Sequence, residues 1–291
     1  MRDLSNETQV VRNPLLQETA ERVETILGTQ IDALQVERAV LGLFFSGVKL
    51  SDGSGGVCFT PIKEIPQAVC CPSSAKVMPS SGRLSEISIR KYLDDLSSPN
   101  MLKRNLAIAV LNALSSICWK QNTPEEYVLE VGTDAFDAIH IPAKGKSVVV
   151  GALIPVLRRL IKEGADFTVL EQDPATLKPA EMPFYAPPEK ASECIPEADL
   201  IVVTGVTILN DTLLGLLDLA KPGAEIVVTG PTASMLPEAF FKRGVTMLGG
   251  VLVTQADALL DILSEGGSGY HFFGKYAERL LIRQKTEGLS V

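Results

Sequence analysis

Histidine is scarce in this 291-residue chain: His140 and His271 stand against 35 carboxylates. Neither belongs to a spaced set with Cys, Asp or Glu, so no preformed transition-metal site is expected. Cysteine is sparse as well, with Cys58, Cys70, Cys71, Cys118 and Cys194 forming an odd set without a Cys-x-x-Cys pair. That excludes a disulfide framework and leaves reduced, mostly buried thiols. Positive charge is in deficit: 27 basic residues against 35 acidic ones give a net charge of −8. No basic run is longer than a pair such as Arg158-Arg159, which makes nucleic acid and anionic membranes poor partners. No apolar run reaches the ~20 residues that span a bilayer, and the first thirteen residues lack the apolar core of a signal peptide, so a cytoplasmic protein is expected. The Gly-x-Ser-x-Gly elbow of Ser-His-Asp hydrolases is missing too.

What is present is ordinary globular material, 46% hydrophobic and 21% charged, in a chain long enough for two domains. Apolar residues from Leu15 to Leu27 recur at helical spacing and stop at Gly28, which predicts an opening helix. Residues 36–50 read as a strand, Asp52-Gly53-Ser54-Gly55-Gly56 as a turn and residues 57–60 as the returning strand of a hairpin. A Pro- and Ser-rich loop follows to residue 81, then helices over 84–96 and 101–119. From Lys146 the pattern becomes short apolar strands, at 147–150, 167–170, 200–204, 225–229 and 245–248, alternating with helices. Buried parallel strands joined by right-handed crossovers make a doubly wound, Rossmann-like sheet. The expected class is α/β, with an α+β domain over 1–121, a linker near 121–132 and the parallel-sheet domain over 132–291.

In such a sheet the ligand lies beyond the carboxyl ends of the strands. Four clusters fall there. Gly151 follows the first strand and allows close backbone approach, but Gly-x-Gly-x-x-Gly is absent, which disfavours a pyrophosphate-binding NAD site. Glu171 and Asp173 follow the second, where an acid accepts ribose hydroxyls in nucleotide and S-adenosylmethionine sites; a solvated turn explains them equally well. Thr204, Gly205, Asn210 and Thr212 follow the third, with Asn210 or Asp211 doubling as a helix cap. Gly230, Pro231 and Thr232 follow the fourth, and Gly250 lies after the fifth. In the first domain, Gly53, Gly55 and Gly56 are either a hairpin turn or a lid over this rim. Asn112, set between Leu111 and Ala113, is an amide in an apolar helix that needs a partner or a ligand.

The set Asp52-Gly53-Ser54-Gly55-Gly56, Gly82, the stretch 105–112, the stretch 171–174, the stretch 204–212 with its Asn210-Asp211-Thr212, Gly230-Pro231-Thr232, the stretch 244–250 and Glu265-Gly266-Gly267 resembles a prokaryotic family labelled as heavy-metal chelation proteins. The resemblance spans nearly the whole chain. It implies an enolase-N-terminal-like first domain, a Rossmann-like second domain and a site between them. It further implies some likeness to Rossmann-type methyltransferases and a role in making, modifying or handling a metal-chelating small molecule. S-adenosylmethionine or a nucleotide-like ligand are the candidate cofactors, and a small molecule is the expected partner, with a homo-oligomer left open. The rival readings are a non-catalytic carrier for a metal–chelator complex and an S-adenosylmethionine-dependent methyltransferase.

Overall fold

A computed structural model describes residues 13–64, 78, 80–121 and 125–285. The opening helix, Pro14–Leu27, starts where the Asn13 side chain accepts the Leu16 amide and stops at Gly28, whose φ is +53°. Proline in the first turn and glycine after the last are the usual helix punctuation.

Three antiparallel strands follow in sequential order: β1 (Val36–Leu41), β2 (Phe45–Leu50) and β3 (Gly55–Phe59). The sequence reading merged the first two. They are joined at Gly42, Leu43 and Phe44, and the last two are exposed apolar residues that disguise the turn. Successive residues of a strand face opposite sides, and β3 uses this with two glycines. A Cβ on Gly56 would run into the Ala109 carbonyl and stand 2.6 Å from the Ala113 nitrogen, both on the helix Met101–Gln121. One on Gly55 would stand 2.6 Å from Val253 and 3.1 Å from Ala256. The small sheet is therefore sandwiched between the long helix and the helix Ala256–Ser264 from the other half of the chain.

The long helix is buried from Leu102 to Cys118 on almost every side. A helix apolar all round belongs in an interior, and one continuous cluster joins its Leu106, Leu111 and Leu114 to Val203, Leu236 and Ile282 of the second half. The predicted helix over 84–96 is broken into a 3-10 turn, the helix Ile89–Asp94 and a second 3-10 turn. Most of the Pro- and Ser-rich loop lies outside the described residues.

The second sheet contains β4 (Tyr127–Val131), β5 (Lys146–Val150), β6 (Asp166–Leu170), β7 (Tyr185–Ala186), β8 (Leu200–Thr204), β9 (Glu225–Thr229), β10 (Met247–Val253) and β11 (Ala277–Gln284). Its order is β4-β11-β10-β9-β8-β5-β6-β7. Strands β5 to β10 are parallel to their neighbours and run in the doubly wound order 3-2-1-4-5-6, reversing between β5 and β8. Two antiparallel strands, β11 and β4, extend the sheet beyond β10. Neither was predicted, and β4 lies within the stretch read as a linker. Strand β10 continues through Gly249 and Gly250, which stand inside a strand rather than after one. Among the described residues no helix is long and apolar enough to cross a membrane.

Candidate functional site at the strand ends

Strand order reverses between β5 and β8, the place where a doubly wound sheet forms its ligand crevice. Gly151 turns there with φ +95°, donates its N–H to the Leu170 carbonyl at 2.9 Å, and leaves no room for a Cβ, which would stand 2.8 Å from Thr204 Cγ2. Thr204 ends β8, its carbonyl accepting the Thr207 hydroxyl at 2.7 Å. The next amide, Gly205, donates to the Thr229 carbonyl at 2.7 Å. Gly230, with φ +129°, then starts the 3-10 turn Pro231–Ala233. The Gly205 backbone faces the Thr232 side chain, with 3.3 Å between its notional Cβ and Thr232 Cβ.

The first half closes the floor. Asn112 Nδ2 donates to the carbonyls of Val57 (2.8 Å), Thr232 (3.2 Å) and Pro231 (3.3 Å), so one amide binds both halves together. The Thr232 hydroxyl oxygen accepts the Phe59 amide at 3.1 Å, and Asn105 Nδ2 donates to the Phe59 carbonyl. Asn105 Oδ1 and Asn112 Oδ1 are sealed from solvent without a partner, at a cost of about 1–3 kcal/mol for each such acceptor. Beside them Cys58 is fully buried; burial pushes its thiol up to about 12, against the opposing effect of hydrogen bonds with Thr232 and Asn105.

At the rim beyond β6, Glu171 Oε1 accepts the Asp173 amide at 3.0 Å, and Asp173 Oδ1 accepts the Ala175 amide at 3.0 Å. Lys63, from the 3-10 turn Ile62–Glu64, reaches across to Asp173 Oδ2 at 2.5 Å and holds that carboxyl below its ordinary range. Both partners are exposed.

The structure thus brings Asn112, Gly205, Gly230, Pro231 and Thr232 together, with Gly151 and Thr204 adjoining. Other predicted residues have local duties. Gly53 turns with φ +86° in the exposed loop between β2 and β3, and Gly55 and Gly56 admit helices. Gly250 admits Ser234, 2.7 Å from a notional Cβ. Asn210 Oδ1 accepts the Thr212 amide at 3.3 Å and its hydroxyl at 2.7 Å. The sequence reading did not single out Cys58, Arg104, Asn105 or Asp211 as site residues. Arg104 and Asn105 carried a signal, being polar in the same apolar helix as Asn112.

Two family models described as "Putative heavy-metal chelation" match the chain, one over residues 134–282 and one over 25–115. The chain belongs to this family. An uncharacterized protein of Methanocaldococcus jannaschii is 29% identical over 202 residues, which are 66% of this chain and 73% of the relative. Two solved structures of unknown function from the DUF364 family share the architecture. The one from Pyrococcus horikoshii has a TM-score of 0.72 at 24% identity, covering 92% of this chain and 99% of its own. The one from Desulfitobacterium hafniense has a TM-score of 0.69 at 20% identity, covering 92% and 100%. The fold is a two-domain α/β fold.

The family description raises the question of a metal. Among the described residues no group of three or more His, Cys, Asp or Glu side chains could hold one. Cys58 and Cys118 are buried, and both thiols are pushed up to about 12, chiefly by desolvation, whereas a metal binds the thiolate. His271 Nδ1 accepts the Ser268 amide at 3.0 Å. These side chains do not fit a protein-borne soft-metal centre.

Proposed function

We propose that the strand-end crevice binds a small polar heteroaromatic or nucleotide-like compound of the metal-chelating kind, and that the protein makes, modifies or handles it. Asn112 carries this reading. It is an amide from the first domain, gripping the loop after β9 of the second, with its own acceptor oxygen buried and unpaired. A buried acceptor without a partner suits a ligand N–H or O–H. The backbone at Gly230, whose notional Cβ meets nothing nearer than 3.7 Å, gives a planar ligand close approach. Metal then belongs to the small molecule rather than to the protein. The two domains run over 1–121, enolase-N-terminal-like, and 132–291, Rossmann-like, in a cytoplasmic protein.

The carrier reading has one observation in its favour. Asn105, Asn112 and Thr232 supply no general acid or base, and Cys58 holds its proton well above neutrality.

The test is thermal unfolding of the full chain with S-adenosylmethionine, ATP, a pterin and flavin mononucleotide, each with and without a divalent metal. A compound at 100 times its Kd adds about 2.7 kcal/mol, and this gain is expected to vanish in Asn112→Ala. No shift with any compound, or an equal shift in the variant, sinks the reading. Mass spectrometry of the recovered compound separates enzyme from carrier.

A further inference from the structure

The loop after β8 is held at a second point, 105 residues or more away in sequence from its partners. Asp211 has φ +62°, and among the described residues it is the non-glycine residue with a positive φ. Aspartate visits this left-handed region at a cost of about 1 kcal/mol, and such a residue persists where its surroundings over-determine it. Here they do. Asp211 Oδ2 accepts from Arg104 Nη1, and Asp211 Oδ1 accepts from Asn13 Nδ2 at 2.7 Å. The same guanidinium donates to the Leu209 carbonyl at 2.9 Å and to the Ser98 carbonyl at 2.7 and 3.0 Å. Its side chain is only 3% exposed.

A buried ion pair adds little net stability over apolar side chains of the same volume, because desolvation offsets the attraction. What it adds is geometry: a planar fork accepts one loop conformation. The helix Met101–Gln121 carries Arg104 near its start and Asn112 eight residues on, about 12 Å along the axis. Arg104 grips the loop after β8, and Asn112 grips the loop after β9. These two loops meet where Gly205 faces Thr232.

We propose that Arg104 and Asp211 are positioning residues, a clasp between the domains that fixes the loop after β8 and so sets its spacing from the loop after β9 across the crevice. Their value to a ligand rests on the strand-end reading above, but the clasp exists without one. Asn210 and Thr212, bonded to each other, are then the frame that presents Asp211 to Arg104.

The experiment is hydrogen exchange of the full chain without ligand, followed on peptides covering 205–212 and 230–234. The amides of Ile208, Asn210 and Thr212 are bonded inside the first segment, and that of Ala233 inside the second, so both can report. Asp211→Gly removes both carboxylate bonds of the clasp while relieving the backbone, leaving Arg104 its bond to the Leu209 carbonyl. It is expected to raise exchange in 205–212 by ~10-fold or more, with a smaller rise in 230–234. Asp211→Asn tolerates the left-handed region and can still accept a hydrogen bond, so it recovers part of the protection. Wild-type exchange of 205–212 in Asp211→Gly overturns the proposal. So does a rise spread evenly over the chain, which reports loss of stability alone. Because no ligand takes part, failure here leaves the strand-end reading standing, and failure of every compound to bind leaves the clasp standing.

Discussion

In the three-stranded sheet, glycine stands inside the strands, and in the eight-stranded sheet the glycines of interest stand just past the ends of β5, β8 and β9. Gly47, Gly55 and Gly56 each have side chains or a helix backbone against the face where a Cβ would project. Gly151 and Gly230 have positive φ and are partly exposed. The first kind shortens the distance between layers, and the second turns the chain; Gly151 also lets Thr204 pack close, whereas Gly230 has nothing within 3.7 Å of a notional Cβ. Composition does not separate the two, since Gly55-Gly56 beside Asp52-Gly53 looks as much like a ligand loop as Gly230-Pro231 does. Position relative to the strand end separates them.

The sharpest way to break this comparison is a pair of substitutions three residues apart, one in strand β3 and one in the loop before it. Gly56→Ala forces a methyl into the Ala109 carbonyl and is expected to cost more than about 3 kcal/mol, at the upper end of overpacking, or to prevent folding. Gly53→Ala, with open space around it and only its φ of +86° against it, should cost about 1 kcal/mol. Chemical denaturation of both variants checks this; similar losses would show that Gly56 is a turn residue and not a packing one.

Asn112→Ala comes next. It takes a donor from the carbonyls of Val57 and Thr232, while that of Pro231 keeps the Ser234 hydroxyl, and it also removes the unpaired Oδ1, so a net loss of about 1–3 kcal/mol is expected. A gain in stability would mean that the amide is retained at a cost, for the crevice rather than for the fold.

The buried thiols sharpen the contrast between floor and surface. Cys58 and Cys118 should resist iodoacetamide at neutral pH in the native protein, while the half-buried Cys194 reacts; peptide mapping reads each thiol separately. Because folding raises the Cys58 pKa from 9.0 to about 12, its contribution is complete below pH 9 and is lost as pH rises towards 12. Cys58→Ala should therefore flatten the alkaline fall in stability. An unchanged slope would remove Cys58 from the account.

The smallest effect belongs to the exposed rim. Lys63→Ala, which breaks the exposed pair with Asp173, should leave stability nearly unchanged, and the more so at high salt. A larger, salt-resistant loss would move that pair from surface decoration into the structure of the crevice.

Much of the fold was legible because buried parallel strands are written as aliphatic runs: 147–150, 200–204 and 225–229 fall on β5, β8 and β9 almost to the residue. Strands β4 and β11 were not legible. Strand β4 is a half-buried edge strand whose pairing spans 149 residues or more, as between Leu280 and Val131, and β11, although Leu280, Leu281 and Ile282 are buried, is antiparallel to β10 and so stands outside the strand–helix alternation. The turn at Gly42 was hidden by Leu43 and Phe44, apolar residues at an exposed tip. Within the crevice, Asn112 stood out as an amide among aliphatic neighbours. Asp211 did not, because its left-handed backbone and its distant partner Arg104 are properties of the assembled chain.

The helix Met101–Gln121 has a consequence for the order in which the chain matures. One of its sides packs on strands already synthesised, but the partners of the other include Pro231, Thr232 and Leu236, as many as 121 residues downstream. During synthesis, N-terminal segments emerge first, at about 5–20 residues per second. For several seconds this helix has made its local contacts and has nothing to cover its remaining apolar side. A nascent chain halted after Gln121 should therefore expose sticky surface and recruit chaperones. Release should coincide with completion of β9 and the turn Pro231–Ala233.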